Sequence, residues 1–361
     1  MGGSALSVPT RRLTAAEFHP LAWRLSRSLS EHLHGARVEP IPAYRQKPDF
    51  GDLDLLVEWS SPIAPSTVPE ALLQGAAAGH ARQVVASGAI VSFDWRPDEN
   101  ALEGFQVDLM LTPPECLDAS RAYFAYNDLG NLIGRIAHRM GFVHGHQGLL
   151  CPVREGEALL AQVEVTRRPD EILAFLGYDP QRFHAGFDTM DDIFAYVASG
   201  NHFSPELFAM DDANHAARTR IRKRPTHRQF QAWLETHRPA SNHAWALHPD
   251  AVTQAAERAP FLARAHALFP EMSPRIQAVH AAQSLAKDEA RQRDRLNGRR
   301  VSEWTGLTAA DLGAFLGAMR ERLGGPKEIA AWARDRTDEE IKAWVLEQAN
   351  PRPIRSRRPS P

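Results

Sequence analysis

The stretch FGDLDLLV, Phe50–Val57, places two carboxylates inside a run of apolar residues. In a β-strand, side chains two residues apart share a face, so Asp52 and Asp54 point to one side while the alternate leucine and valine side chains point into a core. A second strand-like run, Phe105–Leu111, carries Asp108 between apolar residues in the same way. The pattern predicts two strands that carry carboxylates inside apolar runs, and the three carboxylates would lie together if these strands are neighbours in one sheet.

Carboxylates at one strand edge repel each other unless a cation lies between them. Mg²⁺ is the expected ion, with Mn²⁺ as an alternative, because Mg²⁺ prefers oxygen ligands and often shares its coordination with substrate phosphates. Three such carboxylates suit two ions about 3.5–4 Å apart, the arrangement used for in-line phosphoryl displacement. The alternative interpretation of Asp-x-Asp beside a glycine is a structural turn.

The remaining hydrophobic patterns predict a mixed α/β part followed by an all-helical part. The predicted helices span 14–33, 69–85, 120–140 and 169–176, and the predicted strands span 36–44, 50–59, 89–95, 105–111, 149–153 and 162–165. From about Asp188 the pattern is helical and is interrupted by prolines. We therefore expect a disordered segment 1–13, an α/β domain 14–182, a helical domain 183–350 and a disordered basic tail 351–361.

Charge is unevenly distributed along the 361 residues. Residues 48–180 hold 8 Lys+Arg against 19 Asp+Glu, a balance of −11, and residues 215–361 hold 26 against 16, a balance of +10. This asymmetry indicates a metal-binding or catalytic part beside a part that binds a polyanion, or else two domains with differently solvated surfaces. The absence of a long apolar run, of a signal-peptide pattern and of more than two cysteines predicts a cytoplasmic protein that does not cross a membrane.

The motifs Gly51–Asp54 and Val107–Leu109 resemble the palm of the polymerase-beta-type nucleotidyltransferases. The run Tyr123–Asn131 is similar to the nucleotide-carrying helix of family X DNA polymerases, and Gly141–Val143 with Pro169–Leu173 resembles their thumb. This resemblance, over about residues 15–180, implies an α+β fold: a nucleotidyltransferase palm with a mixed β-sheet and flanking helices, a thumb-like segment, and then the all-helical C-terminal domain.

The resemblance also implies site residues. Asp52 and Asp54 would hold both metal ions, and Asp108 would assist the ion that activates the attacking 3′-hydroxyl. The implied nucleotide-binding residues are Tyr44, Arg45, Lys47, Gly51, Tyr123, Phe124, Asp128 and Asn131. Tyr123 and Phe124 would lie against the sugar, with core packing as the alternative; Asp128 would lie against the base, and Asn131 near its minor-groove edge.

One departure from the family concerns phosphate binding. The family begins its palm with Gly-Ser, an aromatic residue and two basic residues, whereas the matching stretch here, Pro42–Lys47, has Ala43 for the serine and Gln46 for the second basic residue. Binding of the phosphates must then come from other groups: Arg45, Lys47, His80 or Arg82. The same departure leaves open a non-catalytic copy of the palm.

The densest basic segment is 218–228. Its basic residues are Arg218, Arg220, Arg222, Lys223, Arg224 and Arg228. They are expected to neutralise a polynucleotide backbone, with Trp233 or Phe230 stacking on bases, or else to form a solvated helix end. A weaker resemblance to the tail of CCA-adding tRNA nucleotidyltransferases and bacterial poly(A) polymerases is carried by Leu296–Arg299, Gly306–Leu307 and Leu312–Leu316. Such helix–turn–helix segments with a glycine are also generic in helical proteins.

Together these features predict a metal-dependent nucleotidyltransferase that transfers a nucleoside monophosphate from an NTP or dNTP to the 3′-hydroxyl of a polynucleotide and releases pyrophosphate. A template-independent or RNA-directed enzyme with an RNA acceptor is favoured, because no counterpart of the family X helix-hairpin-helix domain precedes Asp52. The alternatives are a templated family X-like DNA polymerase, nucleotidyl transfer to a protein or small molecule, and a non-catalytic nucleic-acid-binding protein with a decayed palm.

Overall fold

A computed structural model describes residues 5–33, 35–60, 81–98, 100–208 and 225–350. The chain divides into two compact units, Met1–Pro274 and Arg275–Pro361. This division differs from the expected domain boundary at residue 182, because the helical region that follows packs into the first unit. Arg135 contributes to that packing, since its side chain donates to the carbonyl of Leu207 and meets the ring of His227.

The first unit is built on a five-stranded mixed sheet. Its strands are β2 (Val38–Pro40), β4 (Asp52–Glu58), β5 (Val84–Ser87), β6 (Ile90–Trp95) and β7 (Phe105–Thr112), in the order β2-β4-β7-β6-β5. The central pair β4 and β7 is parallel, and every other neighbouring pair is antiparallel. Strands β1 (Leu13–Thr14) and β3 (Asp49–Phe50) pair in a separate two-stranded antiparallel sheet. The predicted hairpin of β6 and β7 is confirmed.

Helix α1 (Ala15–His32) covers one face of this sheet. Leu21, Leu25 and Leu29 are buried at four-residue spacing, and they share a core with the inward side chains Leu53 and Leu55 of β4. The helix begins at a capping box, in which the backbone N–H of Thr14 donates to Glu17 Oε2 over 2.9 Å. Both the helix and its start agree with the sequence pattern.

The predicted single helix over 120–140 is two helices, α2 (Leu117–Phe124) and α3 (Leu129–Arg139). The break lies at Tyr126 and Asn127, whose φ angles of 57° and 62° are left-handed and therefore incompatible with a continuous helix. Gly130 allows the close approach that follows, because a Cβ there would lie 2.1 Å from the carbonyl oxygen of Tyr123. Periodicity alone cannot reveal this break, since the apolar spacing continues across it.

The rest of the first unit holds a second sheet and further helices. Strands β8 (Val143–Gly145), β9 (Gly148–Glu155) and β10 (Ala158–Thr166) form an antiparallel sheet. In the described part of this unit, the further α-helices are α4 (Pro169–Phe175), α5 (Pro180–Ala185), α6 (Met190–Ala198), α7 (Pro225–His237) and α8 (Ala251–Leu268). Helix α9 (Met272–Arg295) continues the chain into the second unit.

The second unit is helical. After α9 it contains α10 (Gly298–Thr305), α11 (Ala309–Leu323), α12 (Pro326–Arg334) and α13 (Asp338–Ala349). Its buried core includes Val301, Met319 and Ile341. Asn297 caps α10, because its side-chain oxygen accepts from the backbone N–H of Arg300 over 3.0 Å. A helical C-terminal region is thus confirmed.

Two expected segments differ from the structure. Residues 5–13, expected to be disordered, lie along the sheet: Arg11 N–H donates to the Gly104 carbonyl, and Gly104 N–H donates to the Pro9 carbonyl. These backbone hydrogen bonds order the segment although it has few apolar side chains, which was the reason to expect disorder. Residues 84 and 85, the end of the predicted helix 69–85, lie in strand β5 instead, because Val84 and Val85 pair with β6.

Other expectations fall beyond the described residues. Residues 69–80 of the predicted helix, residues 1–4 and the basic tail 351–361 are among them. Among the described residues, no helix is long and apolar enough to cross a membrane.

Candidate metal centre

The parallel pairing of β4 and β7 brings the three carboxylates together. Asp54 lies directly opposite Asp108, and Asp52 lies opposite Gln106, so all four side chains point to the same face of the sheet. This is the face opposite the α1 core. One oxygen from each of Asp52, Asp54 and Asp108 lies within 4.8 Å of the others. In the part of the chain that the structure describes, this is the one group of acidic, His or Cys side chains arranged to hold a metal ion.

The electrostatics of the cluster favour a bound cation. Burial, together with the charges of Asp52 and Asp108, raises the pKa of Asp54 to about 7. Burial is also the main cause of the raised pKa of Asp52, followed by the charge of Asp108. Three nearby carboxylates therefore resist full ionisation unless positive charge is supplied. An all-oxygen ligand set is the chemistry that Mg²⁺ and Mn²⁺ accept, and the residues fit such an ion.

A large cavity opens beside the cluster, with a volume of about 510 Å³. Its lining residues are Arg12, Phe18, Ile41, Pro42, Ala43, Tyr44, Lys47, Pro48, Asp49, Phe50, Gly51, Asp52, Asp54, Phe124, Asn127, Asp128, Met190, Pro225, Thr226 and Gln229. The wall thus combines β4, the residues before it, the turn between α2 and α3, and the first turns of α6 and α7. A volume of this size is typical of a small-molecule site.

Seven of the residues predicted from the sequence line this cavity. They are Tyr44, Lys47, Gly51, Asp52, Asp54, Phe124 and Asp128. Segments that are up to about 80 residues apart in the chain therefore meet at one site, as the sequence motifs require.

Three predicted nucleotide-binding residues lie outside the cavity lining. Arg45 forms an ion pair with Asp188, with 2.6 Å between Nη1 and Oδ1, and also donates to the carbonyl of Ala185. Tyr123 donates its hydroxyl proton to Asn131 Oδ1 over 3.1 Å. The Asn131 amide in turn donates to Asp128 over 3.1 Å. Tyr123 and Asn131 therefore do not line the cavity themselves, but they hold Asp128, which does.

Among the described residues, Lys47 and Arg12 are the cations that line the cavity. The Lys47 ammonium lies 4.6 Å from the centre of the Phe50 ring. Burial lowers the pKa of Lys47, while the carboxylates of Asp52 and Asp54 oppose that shift. Arg12 pairs with Asp49, its Nε lying 2.8 Å from Oδ1. Among the described side chains, Lys47 is the cation whose charge most opposes the raised pKa of Asp54.

Gln106 is a site residue that the sequence analysis did not identify. Its Nε2 donates to both carboxylate oxygens of Asp108, over 3.0 and 2.8 Å, and the side chain is buried. The available signal was its position two residues before Asp108, which places both side chains on one face of the strand.

Most of the predicted polynucleotide-binding segment lies beyond the described residues. This applies to Arg218, Arg220, Arg222, Lys223 and Arg224, and also to His80. Arg228 is described and exposed on α7. The expected base stacking by Phe230 is wrong, because its side chain is fully buried against Phe194 and Phe208. Trp233 is partly exposed and stacks on His237, with 4.4 Å between ring centres.

No protein-family model matches this sequence, and no curated protein is significantly similar to it.

Proposed function

We propose that this protein is a metal-dependent nucleotidyltransferase with a polymerase-beta-like palm. It transfers a nucleoside monophosphate from an NTP or dNTP to the 3′-hydroxyl of a polynucleotide, with RNA as the favoured acceptor. The observation that carries the proposal is the convergence of Asp52, Asp54 and Asp108 within 4.8 Å at the edge of the 510 Å³ cavity. Three carboxylates on one face of two parallel strands also match the motif spacing that the sequence shares with that superfamily.

The cluster would hold two Mg²⁺ ions, or Mn²⁺ in their place. When bound, such ions neutralise the triphosphate and favour the ionised form of the attacking hydroxyl. In the reaction, a bond forms between the acceptor 3′-oxygen and the α-phosphorus, and the bond from that phosphorus to the bridging oxygen of the β-phosphate breaks. The hydroxyl proton leaves to solvent, and pyrophosphate departs.

The other lining residues supply binding and orientation. Lys47 is placed to attract the phosphates, a role that Ala43 cannot share because it lacks a hydroxyl group. The faces of Tyr44 and Phe124 offer apolar surface to the sugar and base, and Asp128 offers a hydrogen-bond acceptor. Because Phe124 lines the cavity and Tyr123 does not, sugar contact is assigned to Phe124 and the supporting contact to Asn131 is assigned to Tyr123.

The decisive experiment is incorporation of labelled NTPs and dNTPs in the presence of Mg²⁺ or Mn²⁺, on RNA and DNA primers with and without template. We expect Asp54→Ala and Asp108→Ala each to lower incorporation by at least about 10³-fold, since each removes a ligand on which charge stabilisation depends. The matched control is Asp118→Ala, an exposed aspartate on α2 that pairs with Arg37. It should retain wild-type activity.

The assay also separates the alternatives. Wild-type incorporation that survives in both cluster variants would contradict the catalytic assignment. Metal binding without incorporation on any primer would favour nucleotidyl transfer to a protein or small molecule, which labelled-NTP transfer to those acceptors detects. Nucleic-acid binding with no transfer and no metal binding would indicate a decayed palm.

A further inference from the structure

We propose that Gln106 is a positioning residue that holds Asp108 in its metal-binding orientation, and that the backbone N–H of Ala5 holds Gln106 in turn. This inference rests on the proposed metal site and concerns a residue outside its ligand set. It is motivated by a chain of hydrogen bonds that runs from residue 5 through a buried amide to the third carboxylate.

Gln106 contacts Asp108 from an immobilised position. The side chain is only 3% exposed and lies on β7 between Asp52 of β4 and Asp94 of β6, its register partners on the two neighbouring strands. Its Nε2 donates to both oxygens of Asp108, over 3.0 and 2.8 Å. A donor shared by both oxygens fixes the rotation of the carboxylate about its last side-chain bond, which decides where its remaining lone pairs point.

The other end of the same amide is also occupied. Gln106 Oε1 accepts from the backbone N–H of Ala5 over 3.2 Å. A backbone N–H can only donate and an ionised carboxylate can only accept, so the two partners together determine which end of the amide faces Asp108. The backbone N–H of Ala5 therefore helps to orient the Gln106 amide, although Ala5 is distant from Gln106 in sequence.

A neutral donor suits this task better than a cation. An Arg or Lys at position 106 would also hold Asp108, but its positive charge would offset the negative charge that attracts Mg²⁺. An amide orients the carboxylate and leaves its charge in place. Partners of this kind behind a metal ligand typically contribute about 10–100-fold to metal affinity.

The test is Mn²⁺ affinity of the full-length protein, measured by the electron paramagnetic resonance signal of free Mn²⁺, together with the melting temperature in EDTA. Gln106→Met keeps the side-chain length and removes all three side-chain hydrogen bonds, and Gln106→Asn keeps a buried amide that is too short to reach Asp108. The matched control is Gln83→Met. Gln83 Oε1 accepts from the backbone of Ser7 and Val8, over 2.8 and 3.2 Å, so it tethers the same N-terminal segment without contacting Asp108.

We expect both Gln106 variants to bind Mn²⁺ at least about tenfold more weakly than wild type, and Gln83→Met to bind within about twofold of wild type. If the wild-type protein binds Mn²⁺ and Gln106→Asn binds it with the same affinity, this inference is overturned while the proposed metal site is retained. Equal losses in Gln83→Met and Gln106→Asn would also overturn it, because the general packing of the N-terminal segment, rather than the hydrogen bonds of Gln106, would then set the Mn²⁺ affinity. Absence of Mn²⁺ binding by the wild-type protein would overturn the metal site and this inference together.

Discussion

Asp54 is the residue at which stability and proposed function conflict. Its carboxyl group is partly enclosed on the sheet face, where it meets the carboxylates of Asp52 and Asp108, so its ionised form is unfavourable in the metal-free protein. The same enclosure strengthens the attraction for a divalent cation, because few water dipoles compete with it. A site of this kind lowers the stability of the empty protein and recovers it on binding.

Replacing Asp54 by Asn tests this conflict through pH. The pKa of Asp54 is about 7 in the folded protein and near 3.8 in the unfolded chain, so ionisation of this group destabilises the folded state. The stability that the neutral carboxyl group contributes is therefore fully present below pH 3.8 and is lost as pH rises through 7. In EDTA, Asp54→Asn should therefore melt several degrees above wild type at pH 8, with a difference that shrinks at pH 5, since one pKa unit corresponds to about 1.4 kcal/mol. Melting curves at both pH values measure it.

Mn²⁺ should reverse this order at pH 8, because only the wild-type cluster gains the binding energy. A variant that is less stable than wild type at both pH values in EDTA would show that Asp54 has a structural role instead.

At the scale of elements, the junction between α2 and α3 shapes the cavity. The left-handed residues Tyr126 and Asn127 turn the chain, and Tyr126 N–H donates to the Pro42 carbonyl over 2.7 Å. That hydrogen bond joins the junction to the segment before β4, which also lines the cavity. The junction thus places Phe124 and Asp128 at the site.

Two glycines of α3 give a matched test of this junction. Gly130→Ala should destabilise the protein by about 2 kcal/mol or more, because its Cβ would lie 2.1 Å from the Tyr123 carbonyl oxygen and helix α3 would have to shift. Gly134→Ala should be neutral or stabilising by up to about 1 kcal/mol, since alanine is the better helix former. The nearest atom to that second Cβ is 3.8 Å away.

Urea unfolding of both variants measures the difference in stability. Nucleotide affinity should fall only in Gly130→Ala, because Asp128 lies two residues away. Equal stability of the two variants would mean that α3 accommodates a side chain at the junction without cost.

At the scale of the whole molecule, the charges are divided along the chain. The balance of −11 over residues 48–180 opposes binding of a polyanion, except where a metal ion offsets it. The balance of +10 over residues 215–361 favours such binding. The metal site and acceptor binding are therefore expected to depend on different parts of the sequence.

Replacing Arg220, Arg222 and Arg224 together by Gln tests this division. We expect weaker binding of single-stranded RNA and a log–log salt dependence flattened by up to about two units, since each phosphate contact contributes about 0.7. The rate at saturating acceptor should change little, because the carboxylate cluster is untouched. Filter binding over a range of KCl concentrations measures both affinity and slope.

The control makes the same change in charge by replacing Arg27, Arg154 and Arg168 together by Gln. These three arginines are exposed in the described part of the chain. It should leave the slope within about half a unit of wild type. An equal effect of the two triple variants would mean that net charge, rather than the basic segment, governs binding.

The local alternation of residues was sufficient to predict strands β4 and β7, the buried face of β4 and the shared direction of Asp52 and Asp54, because side-chain direction in a strand depends only on a period of two. The start of α1 was equally local, since its capping box spans four residues. Only the tertiary structure decided that β4 and β7 are parallel neighbours with Asp54 opposite Asp108, since that register depends on pairing between segments about 50 residues apart. It also decided that Gln106 holds Asp108, that Arg45 pairs with Asp188 and that α2 ends before Tyr126. Each of these depends on partners brought together by packing, which no local pattern of side chains encodes.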